Sequence, residues 1–263
     1  DPDWQIMAAV KMTPMLRQYL ELKNRAGSAL LLYRMGDFYE LFFEDAQKAA
    51  PVLGITLTKR RHNDEISAPM CGVPHHAFDS YLGKLLDAGF RVAVAEQVED
   101  PATAKGLVRR EIVRTHTPGT VSDTALLEGS DRCFLASLGG DAEGGAALAW
   151  LEVSTGAFEG MRCRDRRALA DLLARLRPRE VLVAEGSEEW REVWPAELPA
   201  PTVTPLPPEA FSPSAGESRL KRVLGVGSLR GFGLESGENL VGMAGALLGY
   251  AESTQQGSLR HLA

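Results

Sequence analysis

Tyr33-Arg34-Met35-Gly36-Asp37-Phe38-Tyr39-Glu40 is the stretch on which the reading of the first half turns. It closes an apolar, strand-like run from Ala29 to Met35, breaks at Gly36-Asp37, and resumes at once with two aromatics and an acid. As ordinary structure this is a turn whose Phe38 and Tyr39 enter a core. The functional reading differs, because strand side chains alternate between faces and Phe38 therefore shares a face with Glu40. An exposed aromatic beside a carboxylate suits a wedge that enters the minor groove of DNA and kinks it, with the acid in reach of the same base.

Working outward, Thr13 caps and Pro14 opens a helix carrying Met15, Leu16, Tyr19, Leu20 and Lys23 at helical spacing, ended by Gly27. A helix is expected from Glu44 to Leu53 with Gly54 after it, a strand from Ile55 to Lys59, and a polar loop from Arg60 to Ser67. Ala77 to Ala88 reads as a helix stopped by Gly89, and Arg91 to Val98 and Glu111 to Thr115 as strands. Beyond Pro118-Gly119 the pattern changes. Arg132 to Leu138, Ala147 to Val153 and Ala157 to Arg162 are strand-like runs separated by Gly-rich turns, as in an antiparallel meander. A helix (Arg166 to Arg177), a strand (Glu180 to Ala184), and an irregular Pro-rich stretch from Pro195 to Pro213 are expected next. Leu220 to Leu224 and Leu240 to Ser253 read as helices flanking a flexible Gly-rich connection. The fold class is α/β: a mixed α/β unit, then a second α/β unit that opens with antiparallel strands.

The composition is that of a globular protein, with 44% hydrophobic and 24% charged residues in 263. No apolar run is long enough to span a membrane, and Asp1-Pro2-Asp3-Trp4 does not read as the start of a secretory leader. Three widely spaced cysteines, Cys71, Cys133 and Cys163, form no disulfide framework and no zinc pattern, and suit a cytoplasmic protein. The net charge of −6 argues mildly against a phosphate partner, but residues 1–125 carry only −1 of it and the remainder −5. Cations cluster in that first half, at Lys59-Arg60-Arg61 and at Lys105, Arg109 and Arg110, and these are the candidate DNA-backbone contacts. His75 and His76 lack a third ligand nearby and read as a turn histidine and a packed one, with no metal site.

Five ordered stretches accompany the wedge segment: Leu57-Thr58-Lys59-Arg60, Cys71-Gly72-Val73-Pro74-His75-His76-Ala77, Ala95-Glu96-Gln97, Asp100-Pro101-Ala102-Thr103-Ala104-Lys105-Gly106 and Thr117-Pro118-Gly119-Thr120. With Arg34 to Phe42 they resemble the MutS family in order and spacing, most closely before Leu127 and more loosely to the end. The resemblance implies that Phe38 stacks on a mispaired or unpaired base and that Glu40 hydrogen-bonds that base. It implies a mismatch-recognition domain over residues 1–118, a linker over 119–127, and an RNase H-like connector over 128–263, running towards a further helical region. The implied partners are duplex DNA with mismatches or small insertion/deletion loops, a MutL-type protein, and a second copy in a homodimer.

No Gly-x4-Gly-Lys-Ser/Thr pattern occurs, so no P-loop is expected in this chain and it is not itself expected to be an enzyme. By the resemblance, ATP and Mg2+ belong to the ATPase of a longer protein of which this is an N-terminal part. A metal-dependent nuclease is the competing reading for an RNase H-like domain, with Glu152 and Glu185 as the conceivable acid pair. A pure protein-interaction module is the other.

Overall fold

The computed structural model describes residues 13–61, 67–99, 106–121, 132–140, 145–187 and 189–255. It divides into two compact units between His116 and Thr117.

The first unit contains α1 (Pro14–Ala26), β1 (Leu30–Met35), β2 (Phe38–Phe42), α2 (Phe43–Leu53), β3 (Thr58–Arg61), β4 (Ser67–Pro74), α3 (Phe78–Asp87), β5 (Val92–Gln97) and β6 (Arg110–His116). Helix α1 starts as its residues dictate: the Leu16 N–H donates to the Thr13 hydroxyl, and Pro14 sits in the first turn, where its missing N–H leaves nothing unpaired. The six strands form one mixed sheet in the order β3-β4-β2-β1-β5-β6, parallel only between β1 and β5. Tyr19 and Leu22 of α1 pack on Leu31, Tyr33, Phe42, Ala93 and Ala95 of one face. Alternate positions meet the other two helices: the Cys71 thiol donates to the Ala46 carbonyl of α2, and the Tyr39 ring lies 5.0 Å from Phe78 of α3. Asp45, buried near the start of α2, accepts the Leu31 N–H and pairs with Lys23 at 2.8 Å.

Two local expectations change. Arg60 and Arg61, placed in a loop by their polarity, belong to β3, which begins at Thr58 rather than Ile55. Strand β4 was hidden by Pro69, Gly72 and Pro74. It tolerates both prolines because each has a strand on one side only: Pro69 faces Lys59 of β3 and lies past the last β2 pair, while Pro74 faces Phe38 of β2 and lies past β3.

The second unit contains β7 (Phe134–Gly140), β8 (Ala146–Glu152), β9 (Ala157–Cys163), α4 (Arg166–Leu176), β10 (Glu180–Ala184), β11 (Thr202–Leu206), α5 (Pro213–Leu224) and α6 (Asn239–Gln255). Its sheet runs β11-β10-β7-β8-β9, an antiparallel meander extended by two parallel strands. The alternation of strand residues feeds two cores. Leu135, Ala149, Leu151 and Leu182 pack under α5 and α6, and Ala136, Leu148, Trp150, Val181 and Val183 under α4. Helices α5 and α6 touch backbone to backbone: a Cβ on Gly245 would lie 2.2 Å from the Gly216 Cα, and one on Gly216 would lie 2.3 Å from the Val241 carbonyl oxygen.

The Pro-rich stretch from Pro195 to Pro213 is less irregular than its composition suggests. It holds β11 with Pro205 inside it, which works because β11 is an edge strand paired only to β10. The start of the expected linker is packed. Thr117, Thr120 and Val121 are buried, the Gly119 N–H donates to Glu180 at 2.9 Å, and the Cys133 thiol donates to the Pro118 carbonyl, so residues 117–121 are part of the second unit. Residues 122–127 of the expected linker lie outside the described residues. No helix among the described residues is long and apolar enough to cross a membrane.

Candidate nucleic-acid interface

Strands β1 and β2 form a hairpin whose last pair is Met35–Phe38, leaving Gly36 and Asp37 as a two-residue turn. Gly36 sits at φ +58, which a glycine in the first turn position supplies without strain. The turn is tied on both sides: Arg34 Nε donates to the Gly36 carbonyl at 2.5 Å, and the His75 N–H donates to the Asp37 carbonyl at 2.8 Å.

From this turn β2 sends its residues to opposite faces. Phe38 is 47% exposed and Tyr39 only 3%, so just one of the two aromatics enters the core. Tyr39 is fixed there by the rings of Phe78 and His75, by the Arg34 guanidinium 5.3 Å above it, and by a hydrogen bond from its hydroxyl to Glu96. Burial, with the Glu96 carboxylate next, pushes the Tyr39 hydroxyl pKa well up, so it remains a donor. Among the described residues no such ring or cation contact holds Phe38, which stands at the hairpin tip.

Glu40 follows on the Phe38 face and accepts a hydrogen bond from Arg60 Nη1 at 2.5 Å. Burial raises its pKa, and the Arg60 guanidinium, with Arg110 beyond it, opposes that rise. Opposite Glu40 on β4 stands Gly72, whose missing side chain leaves the floor open: a Cβ there would lie 3.8 Å from both Glu40 Cγ and Phe38 Cδ1. The pairing register puts Arg60 on this face as well, through Ala68 and Gly72 of β4. The fold thus brings together an exposed ring, a carboxylate, its counter-ion and a bare backbone patch, a surface suited to a flat aromatic ligand flanked by anions.

The expected backbone contacts separate. Lys59 and Arg61 are exposed on β3, Arg109 is exposed with its N–H donated to Glu99, and Lys105 lies outside the described residues. Arg110 does not belong with them. It is buried, its guanidinium lies 4.7 Å from the Tyr33 ring centroid, and it donates to the carbonyls of Arg34 and Val108 and to Gln18 Oε1. An arginine so enclosed holds the end of β1 and offers no donor to a phosphate. Its sequence neighbour Arg109 points the other way because successive residues alternate at the start of β6. Neither Gly72 nor the Tyr33–Gln18–Arg110 cluster was singled out from sequence. Gly72 lay within a quoted motif, whereas nothing in the sequence distinguished Arg110 from Arg109.

The acid pair of the nuclease reading is not assembled. Glu152 is buried, accepts the Thr155 hydroxyl, and lies opposite Phe134 at the start of β7, whereas Glu185 follows the far end of β10, which runs parallel to β7. They stand at opposite ends of the sheet. No three His, Cys, Asp or Glu residues gather into a metal-holding group among the described residues, and His75 and His76 are exposed on a short 3-10 turn.

Comparison with known proteins bears on the whole chain. A family model described as MutS domain I matches residues 13–125, and one described as MutS domain II matches residues 133–263. The DNA mismatch repair protein MutS of Dinoroseobacter shibae is 48% identical over 258 residues, 96% of this chain and 29% of that protein. Its namesake from Nitratidesulfovibrio vulgaris is 45% identical over 256 residues, 96% of this chain and 28% of that protein, and the one from Desulfosudis oleivorans is 45% identical over 97% and 29%. The chain therefore spans less than a third of the length of these curated relatives. With its two units matched in order by the family's first two domains, this chain belongs to the MutS family.

Proposed function

We propose that this chain recognises mispaired or unpaired bases in duplex DNA for mismatch repair, Phe38 stacking on such a base from the minor groove and Glu40 hydrogen-bonding to it. The observation that carries the reading is the position of Phe38: the exposed ring at the tip of a rigidly tied hairpin, on the same face as Glu40. The naming of the relatives supports the repair role. A correct base pair stacks well, so opening and kinking it costs a few kcal/mol, and a mispair already stacks poorly, so the same kink costs less. A π-face tolerates any base, which suits a sensor that must accept many mispairs. Lys59, Arg61 and Arg109 contribute phosphate contacts, and so does Lys105.

In the longer protein the second unit acts as the connector, relaying the state of the DNA to an ATPase that holds ATP and Mg2+ outside this segment, to a MutL-type partner, and across a homodimer. The test is the binding of the full-length protein to a G·T duplex and its matched control. Phe38→Ala should lower the mismatch-to-matched affinity ratio by about tenfold or more, the worth of one stacked base, while circular dichroism stays unchanged. A Phe38→Ala protein that keeps the wild-type ratio overturns the reading.

A further inference from the structure

The ion pair between Glu40 and Arg60 raises a question that a wedge alone does not answer. The carboxylate assigned to a base already has a partner, held at 2.5 Å by a guanidinium. The two partners are unequally placed. The Glu40 side chain retains 14% exposure on an inner strand, whereas Arg60 retains 36% on the edge strand β3, beside the exposed Lys59 and Arg61. Glu40 cannot leave its site, but Arg60 can rotate outward on a long, flexible stem. Other charge near Glu40 is fixed: Arg110 is enclosed by its own acceptors, and β4 presents Gly72.

Resting on the DNA-binding reading above, we propose that Arg60 is a specificity-determining residue that exchanges partners, holding Glu40 while the face is empty and passing to a duplex phosphate when the face is occupied. Exchange leaves Glu40 without its counter-ion in a half-buried position, a state that is tolerable only if a base supplies a new partner. A displaced, poorly stacked base can turn an edge towards Glu40. A base held in a well-stacked pair cannot, so on matched DNA Arg60 stays with Glu40 and one phosphate contact is lost. The pair thus works against matched duplex without affecting the wedge. The raised carboxyl pKa is in keeping with a group that is poorly solvated once its partner leaves.

The test is a double-mutant cycle in the full-length protein, read on matched duplex across a salt series. Glu40→Gln frees Arg60, so matched-duplex affinity should rise about five- to tenfold and the logarithmic salt slope should steepen by about 0.9, the increment of one neutralised phosphate. In an Arg60→Gln background the same change should alter affinity by no more than about twofold and leave the slope unmoved, while an Arg60→Lys background should restore part of the gain. Equal gains with and without Arg60 overturn the exchange, because the pair would then be a static surface contact. The cycle uses matched duplex alone and the Phe38→Ala test uses the mismatch-to-matched ratio. Additivity in the cycle with an intact Phe38 effect sinks only the exchange, and coupling in the cycle without a Phe38 effect sinks only the wedge.

Discussion

Glu180 and Glu40 are both carboxylates on the surface of a sheet, and they are held in opposite ways. Glu180, at the start of β10, is fully buried and accepts hydrogen bonds from the Gly119 N–H, the Thr204 hydroxyl and the Tyr250 hydroxyl. Those donors come from the boundary segment, β11 and α6, and none can turn away without unfolding its own element. Among the described residues Glu40 accepts from Arg60 alone, on a long side chain at a sheet edge. A carboxylate surrounded by short, rigid donors locks structure together. One held by a single mobile cation can be handed over. The contrast distinguishes an anchor from a working group by the mobility of the partners, since both are largely shielded from water.

The contrast can be broken at either end. Glu180→Ala strands three buried donors and should cost about 4 kcal/mol, read as a lowered urea midpoint by fluorescence of Trp150, Trp190 and Trp194, which all lie in the second unit. Gly119→Ala tests the same anchor from the other side, because its Cβ would fall 2.7 Å from the Glu180 Cβ. A midpoint that moves by less than the error in both variants would show Glu180 to be dispensable. A smaller loss, about 2–3 kcal/mol, is expected for Arg110→Met, which removes the guanidinium donor from the Arg34 carbonyl and leaves the Val108 carbonyl only the longer bond from Gln18 Nε2 at 3.4 Å. Hydrogen exchange should quicken in Arg34 to Phe38 and stay unchanged in the second unit. Uniform exchange would return Arg110 to the surface group.

The smallest effect belongs to the Glu40 pair and depends on pH. Burial holds the Glu40 pKa above the usual 4.5, so between the unfolded and folded values the folded protein binds more protons, and stability falls as pH rises through that window. Arg60 opposes the rise. Arg60→Gln should therefore lift the Glu40 value further and cost about 1 kcal/mol or less at pH 7, and almost nothing at pH 4. A side-chain carboxyl NMR titration of both proteins checks it, and a Glu40 value that falls in the variant would contradict the assignment of Arg60 as its counter-ion.

What could be read in advance follows the range of the interactions involved. The period-two alternation after Gly36-Asp37 placed Phe38 and Glu40 together, because strand geometry is local and the turn chemistry is written in two residues. The caps of α1 and the meander of β7, β8 and β9 were legible for the same reason. Strand β4 and strand β11 were not, since a proline excludes a strand interior but not a position with one neighbour, and only the assembled sheet says how many neighbours a position has. Arg110 was misplaced because Arg109-Arg110 looks like a basic patch, and the alternation of β6 that sends one outward and one under Tyr33 depends on where that strand begins. Residues 119–127 read as a linker from Pro118-Gly119, yet Gly119 sits where a buried acid approaches the backbone.

The glycine contacts between α5 and α6 limit how the second unit can respond to force. A slide of α6 by about one turn would bring the Val241 or Leu248 side chain, which shares the Gly245 face, against the Gly216 backbone, where no Cβ fits. The two helices therefore behave as one stiff lever arm. A push received at the boundary segment, clamped through Glu180 to Tyr250 of α6, would be passed on as rotation of the whole block and not dissipated as slippage between its helices.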